Sequence, residues 1–276
     1  MTLKRRILLL IARLKGRFRR PLVWSAAALT DKGLVRENNE DAYLLRPGMF
    51  FVCVADGMGG GACGEMASRW ICDTFASLYN RAPRMGLRLR VDKAGDELQT
   101  VNQRIRAYAK EHGYKTMGST LAFLMADPND PTRGIIAHVG DSRIYRWRNG
   151  QGESLTIDHT VGSELGRALS SARTAQAAEL KSRQNPLAHI LTRAVGTELR
   201  ARPDWRKIDI CLGDRYLLCT DGVHDVLSDA EITAFMGGAV SPEQLLRQIS
   251  AAVKKAGAPD NFTVVCAFVV RKSNSR

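Results

Sequence analysis

The sequence predicts an α+β domain, and three observations carry that reading. Strand-like patterns come in runs, near 24–30, 41–46 and 50–55, then 120–126, 134–139 and 143–148, then 205–210, 215–219 and 262–270. Helical periodicity comes in pairs, 65–79 with 92–111 and 228–236 with 242–256. Strand runs punctuated by helix pairs differ from the one-for-one alternation of a parallel βαβ sheet. Finally, 276 residues that are 45% apolar and 25% charged supply core for one large domain, placed here at 23–272.

Residues 1–20 stand apart from that domain. Eight of the thirteen excess positive charges fall there with no acid among them, leaving +5 for the rest of the chain. Leu3, Ile7, Leu10, Ile11, Leu14 and Phe18 recur at helical spacing between the basic residues, so a basic amphipathic helix touching anionic lipid competes with a solvated tail. The apolar run at 7–12 is far shorter than the roughly 20 residues that span a bilayer. It also lacks a signal-peptide cleavage pattern.

From residue 24 the elements follow in order. The run Phe50-Phe51-Val52-Cys53-Val54-Ala55 is apolar without alternation and predicts a strand buried on both faces, ending at Asp56. Four glycines in the next five residues permit close backbone approach or positive φ. Met66, Trp70, Ile71, Phe75 and Leu78 then take helical spacing. Residues 161–190 are polar, rich in Ala, Ser and Arg and weakly patterned, which marks a functional flap or partner surface rather than a core element. Ser241 predicts a helix N-cap, with Pro242 at the first helical position and Gly257 just past the end. Six cysteines sit mostly inside apolar runs without CxxC spacing, arguing for reduced thiols and a cytoplasmic setting.

The chemistry concentrates in acids that share one construction. Asp56, Asp141 and Asp221 each follow an apolar run, Asp260 precedes one, and Glu40-Asp41 opens another. Singly, each is explained by a turn. Together they place carboxylates at strand ends, where like charges converge on one sheet edge and require a cation. Oxygen-only ligands suit Mg²⁺ or Mn²⁺ rather than Zn²⁺. Two such ions about 3.5–4 Å apart activate a water for in-line phosphoryl displacement. Arg36, four residues before Glu40, can hold a phosphate oxygen pair.

The ordered set Thr30-Asp31-Lys32-Gly33-Leu34-Val35-Arg36-Glu37-Asn38-Asn39-Glu40-Asp41, Asp56-Gly57-Met58-Gly59-Gly60, Met117-Gly118-Ser119-Thr120-Leu121, Gly140-Asp141-Ser142-Arg143, Thr220-Asp221-Gly222 and Asp260-Asn261 resembles the PPM-type metal-dependent Ser/Thr protein phosphatases in their bacterial form. The resemblance spans about 25–270. It implies a β-sandwich of two antiparallel sheets flanked by pairs of helices, with the metal site at one edge between the sheets. It further implies that Asp56 bridges two Mn²⁺ or Mg²⁺ ions, that the Gly57 carbonyl ligates one, and that Asp221 and Asp260 hold one ion. Glu40 would hold the other through its water shell, Arg36 would bind the substrate phosphate, and Asp141 with Asp41 would belong to a third-metal position. The activity implied is hydrolysis of phosphoserine and phosphothreonine on proteins by a metal-bridging water, opposing a Ser/Thr kinase. Some stand-alone relatives oppose kinases that control secretion machinery. A monomer with no nucleic-acid partner is expected, cytoplasmic, with peripheral contact to the inner membrane through residues 1–20.

The chain departs from that family pattern in places. Met58 stands where some members carry a histidine proposed as general acid, Gly61 replaces another histidine, and Ser119 replaces a threonine. His159 is a candidate proton donor, weighed against a structural histidine at a strand end. None of these changes removes a metal ligand, so an active enzyme is expected. A weakly catalytic regulator of the same fold is the alternative.

Two other classes fare poorly. Gly59-x-Gly61-x-x-Gly64 formally matches a dinucleotide fingerprint, but about 20 residues on, where that fold places an acid, the chain reads Arg81-Ala82-Pro83-Arg84, with none until Asp92. The positive charge sits in one short tail without a nucleic-acid motif. Cys63, beside the glycine turn, invites a redox role, weighed against a small-residue role.

Overall fold

The computed structural model describes residues 21–81, 85–168 and 186–272. The basic segment 1–20 and residues 169–185 of the flap lie outside them. In order come β1 (Leu22–Asp31), β2 (Asp41–Arg46), β3 (Phe51–Met58), α1 (Ala62–Arg81), α2 (Leu87–Glu111), β4 (Gly118–Ser119), β5 (Leu121–Ala126) and β6 (Arg133–Val139). They continue as β7 (Arg143–Arg148), β8 (Gln151–Ser154), α3 (Val161–Ala168), β9 (Asp204–Asp209), β10 (Arg215–Cys219), α4 (Asp221–His224), α5 (Asp229–Gly238), α6 (Pro242–Lys255) and β11 (Phe262–Arg271).

All the strand pairings are antiparallel. One sheet runs β1-β11-β10-β7-β8; the other runs β2-β3-β5-β6-β9, with β4 pairing β3. A dinucleotide fold needs a parallel crossover at its glycine turn. The antiparallel neighbours of β3 exclude one here.

Strand alternation divides the core into three layers. In β3, Val52 and Val54 face the other sheet and meet Leu124, Ile144, Leu218 and Val265 between the two. Phe51, Cys53 and Ala55 face outward onto α1 and α2, against Ile71, Phe75, Leu98 and Ile105. Phe51 lies 4.4 Å from the Tyr79 ring and 5.5 Å from those of Phe75 and Phe123. The second helix pair covers the other sheet: Ile232, Met236, Leu245, Ile249 and Val253 pack on Leu217, Cys219, Val264 and Cys266. The result is helix–sheet–sheet–helix, as the sequence implies.

Local signals explain the helix starts. Ser228 and Glu231 form a reciprocal capping box at α5. Ser241 Oγ accepts from Gln244 N at 3.2 Å, Pro242 opens α6, and Gly257 follows with φ +100°. Two expectations about β3 need correction. Phe50 is no strand residue: its φ of +53° closes the turn Pro47–Met49. Asp56 does not end the strand, because Gly57 pairs Ser119 and Met58 pairs Gly118, extending the ladder by two residues.

Candidate metal centre

The expected carboxylates meet at one end of the sandwich. Asp56, Asp141, Asp221, Asp260, Glu40, Gly57 and Arg36 all line a single cleft of about 420 Å³. Asp56 comes from β3 and is fixed by its backbone: its N–H donates to Thr120 Oγ1 at 3.0 Å and its carbonyl accepts from Thr120 N at 2.8 Å. Asp221 is the first residue of α4, beyond β10. Asp141 follows Gly140, whose φ of +96° turns the chain out of β6.

The glycine turn lets the other wall approach. A Cβ on Gly57 would lie 2.0 Å from the Gly64 carbonyl oxygen, and one on Gly64 would lie 1.8 Å from Glu40 Oε2. Only glycine admits that contact. Gly61 N donates to Glu40 Oε1 at 2.6 Å, and Gly57 N to the Glu40 carbonyl at 3.1 Å. Arg36 Nη2 donates to Asp260 Oδ2 at 2.7 Å.

The electrostatics are those of an anion cluster. Burial, reinforced by the charges of Asp221, Asp41 and Asp141, raises the Asp56 carboxyl well above the ordinary range. Asp141 is raised by burial and by Asp221, and Asp221 by burial despite His224 nearby. Burial raises Glu40 too, against the Gly61 hydrogen bond. Such groups hold a proton or a cation between them. The clustered side chains of Asp56, Asp141, Asp221, Asp260 and Glu40 offer only oxygen, so these residues fit hard divalent ions. The carboxylates line a cleft rather than one point, which suits two ions sharing Asp56.

Asp41 is not brought to the cleft. It is 7% exposed, its Oδ2 accepts from Thr220 Oγ1 at 2.8 Å, and burial lifts its carboxyl to about 7 against the Thr263 and Thr220 hydrogen bonds. Asp41 and Glu40 are consecutive at the mouth of β2, and adjacent side chains of a strand point to opposite faces.

His159 is structural. It is fully buried, its Nδ1 accepts from Gly140 N at 3.2 Å, and its ring stacks on His138 at 4.4 Å. With Asp204 these histidines form a group of metal-ligating type, but the guanidinium of Arg193 already bonds Asp204 Oδ1 at 2.8 Å. Two rings stacked nearly parallel, 14° apart, do not converge their lone pairs on one ion. Cys63 is a free, buried thiol in α1.

Four contributors escaped the sequence reading. The Asn261 side chain accepts from Glu40 N at 2.8 Å and donates to the carbonyls of Lys32 at 2.9 Å and Asn38 at 2.8 Å, tying the Arg36–Glu40 loop to β11. Thr120 sets Asp56 and itself bonds Ser142 Oγ at 2.7 Å. Thr220 holds Asp41. His189, at the end of the turn Pro186–His189, lines the cleft. Asn261 and Thr120 lay inside recognised motifs; nothing in the sequence singled out His189.

Comparison with known proteins agrees with this geometry. The protein phosphatase 2C family model matches residues 35–261. The serine/threonine protein phosphatase PstP of Mycobacterium tuberculosis is 34% identical over 253 residues, covering 90% of this chain and 46% of PstP. This chain therefore spans about half the length of that relative. Among solved structures, PppA, described as a key regulatory component of T6SS in Pseudomonas aeruginosa, has a TM-score of 0.79 and 31% identity, covering 90% of this chain and all of that one. The catalytic domain of serine/threonine protein phosphatase PstP in complex with two manganese ions has a TM-score of 0.76 and 32% identity, covering 91% and 100%. With the family model spanning most of the fold and every cleft carboxylate falling inside it, the chain belongs to the protein phosphatase 2C family.

Proposed function

We propose that this chain hydrolyses phosphoserine and phosphothreonine esters on proteins at the carboxylate cleft. One observation carries the reading: Asp56, Asp221, Asp260, Glu40 and Arg36, from four separate stretches of sequence, line one cleft. Asp56 would hold both divalent ions, joined by the Gly57 carbonyl, Asp221, Asp260 and, through water, Glu40. Asp141 would serve a third, looser position. When bound, the ions supply Lewis-acid activation of a water and neutralise charge on the phosphoryl oxygens. Arg36 would take two oxygens of the phosphate in a bidentate pair. Thr120 and the glycine turn keep Asp56 and Glu40 from relaxing apart under mutual repulsion.

The finer setting belongs to the same proposal. Its counterpart would be a Ser/Thr protein kinase, and the likeness to PppA supports a place in secretion-system regulation. All six cysteines are free, which supports a reducing, cytoplasmic compartment. No helix among the described residues is long and apolar enough to cross a membrane. Residues 1–20 would provide peripheral contact with anionic lipid, and the chain would act as a monomer.

The test is hydrolysis of p-nitrophenyl phosphate and a phosphothreonine peptide with Mn²⁺ or EDTA, alongside Asp56→Ala and Asp221→Asn. Turnover that needs Mn²⁺ and is lost in both variants supports the proposal. Folded, Mn²⁺-loaded wild-type protein that cleaves neither ester overturns it.

A further inference from the structure

Cleavage of a phosphoserine or phosphothreonine ester expels an alkoxide, a poor leaving group unless it is protonated as it departs. A positioned acid contributes about 10²–10⁴-fold to such a step. Met58, two residues beyond Asp56, has no proton to give, and His159 is fully buried away from the cleft. Among the described residues lining the cleft, His189 is the only imidazole, and it shares that wall with Asp141, Asp221 and Leu191.

The fold fixes where this ring sits. Directly after it, Val161 N donates to the Ile190 carbonyl at 2.9 Å, and Leu191 pairs with Thr160 in an isolated bridge. Thr192 Oγ1 donates to Glu164 Oε1 at 2.7 Å, clamping the strand end to α3. Just before it, Ala188 packs so closely on Gly162 that a Cβ there would lie 2.8 Å from the Ala188 Cβ. The ring is therefore carried on backbone pinned to α3. Its Nδ1 lies 3.6 Å from Asp225 Oδ2, at ion-pair distance, and Asp225 N is anchored on the Asp221 carbonyl at 2.8 Å. A carboxylate on the Nδ1 side orients an acid–base histidine to work through Nε2.

We propose that His189 is the general acid that protonates the leaving side-chain oxygen, with Asp225 as its positioning residue. The inference rests on the phosphatase reading above. As the new bond forms between phosphorus and the oxygen of the attacking water, the ester P–O bond breaks and its electron pair stays on the serine or threonine oxygen. That oxygen takes the His189 proton and leaves as the alcohol. The proton shed by the attacking water restores the imidazolium through solvent. Ester and water thus become alcohol and inorganic phosphate, with no other reactant.

The test separates protonation from mere support. Mn²⁺-saturated wild-type, His189→Gln and Asp225→Asn proteins are assayed on a phosphothreonine peptide and on aryl phosphates of graded leaving-group acidity, with Mn²⁺ affinity measured by calorimetry. In His189→Gln, kcat on the peptide should fall about 10²-fold, within the range for a lost general acid. The fall on p-nitrophenyl phosphate, whose leaving group needs little protonation, should be at least about tenfold smaller, so the dependence of rate on leaving-group acidity steepens. Asp225→Asn should shift the same ratio in the same direction by less. Equal losses on every ester, no loss on any, or a loss matched by weakened Mn²⁺ binding would each overturn the assignment. Wild-type protein that binds Mn²⁺ yet cleaves no ester would instead overturn the phosphatase reading, and this inference with it.

Discussion

Arg36 Nη2 and Asp260 Oδ2 face each other across 2.7 Å, so the group expected to grip phosphate is engaged by a group expected to grip metal. The Asp260 charge and hydrogen bond raise the Arg36 guanidinium above its ordinary value, with burial opposing. The two partners are 57% and 34% exposed in their side chains, so the pair is worth little to stability. On the proposed reading, a cation that recruited Asp260 would free Arg36 for substrate.

Arg36→Ala should therefore act on substrate rather than on fold or metal. We expect kcat/KM on a phosphothreonine peptide to fall about 10²-fold, the scale of about 2–3 kcal/mol for a lost charged hydrogen-bond pair. Arg36→Lys should recover only part of it, because an ammonium cannot make the bidentate contact. Mn²⁺ affinity by calorimetry should hold or rise, since Asp260 loses a competitor.

Asp41 offers a pH test without metal. Its folded carboxyl is raised from the ordinary carboxylate range to about 7, chiefly by burial. A group that holds its proton more tightly when folded contributes stability at low pH, and that contribution is lost as pH climbs between the two values. In EDTA, the stability of wild type relative to Asp41→Asn should thus decline from pH 4 to pH 7. Asparagine keeps a carbonyl to accept from Thr220. Urea midpoints at several pH values measure it, and a flat difference would sink the assignment.

What the sequence revealed and what it hid follow from how each element is stabilised. Asp56, Asp141, Asp221 and Asp260 were readable because each adjoins a strongly apolar strand, so its position was set by the core. β8 was missed because Gln151, Gly152 and Glu153 are exposed and show no apolar alternation. α3 was missed because it lies in the polar flap, and α4 because it is a single turn. The placement of Asp41 off the cleft depends on which face β2 turns inward, a matter of register that two adjacent acids cannot signal. His189 is held at the cleft by contacts such as the Thr160–Leu191 bridge, a pairing 31 residues apart in sequence.

Asn261 should matter more to the fold than its polar character suggests. It is 7% exposed and satisfies Glu40 N, the Lys32 carbonyl and the Asn38 carbonyl at once. Asn261→Ala leaves those three backbone groups without that partner, at a cost of roughly 2–4 kcal/mol from about 1 kcal/mol per bond plus desolvation. Urea unfolding should show the loss. Activity should fall as well, because the same bonds hold the loop that carries Arg36 and Glu40.

Asp221 should display opposite effects with and without metal. In EDTA its carboxyl is raised by burial and by Asp225 and Asp260, so the folded state carries an electrostatic cost there as pH rises above the ordinary carboxylate range. Asp221→Asn removes that charge, and at pH 7.5 its Tm in EDTA should equal or exceed that of wild type. Mn²⁺ reverses the order. At 100 times its dissociation constant a ligand adds about 2.7 kcal/mol to the folded state. For a domain of this size that raises Tm by about 5–10 °C. Wild type should gain that increment and Asp221→Asn should not, while its metal-dependent turnover drops by roughly 10³-fold. The crossing of the two melting orders is the signature of a carboxylate retained for its ion rather than for the fold. A variant less stable than wild type in EDTA, and equally raised by Mn²⁺, would place Asp221 in the scaffold instead.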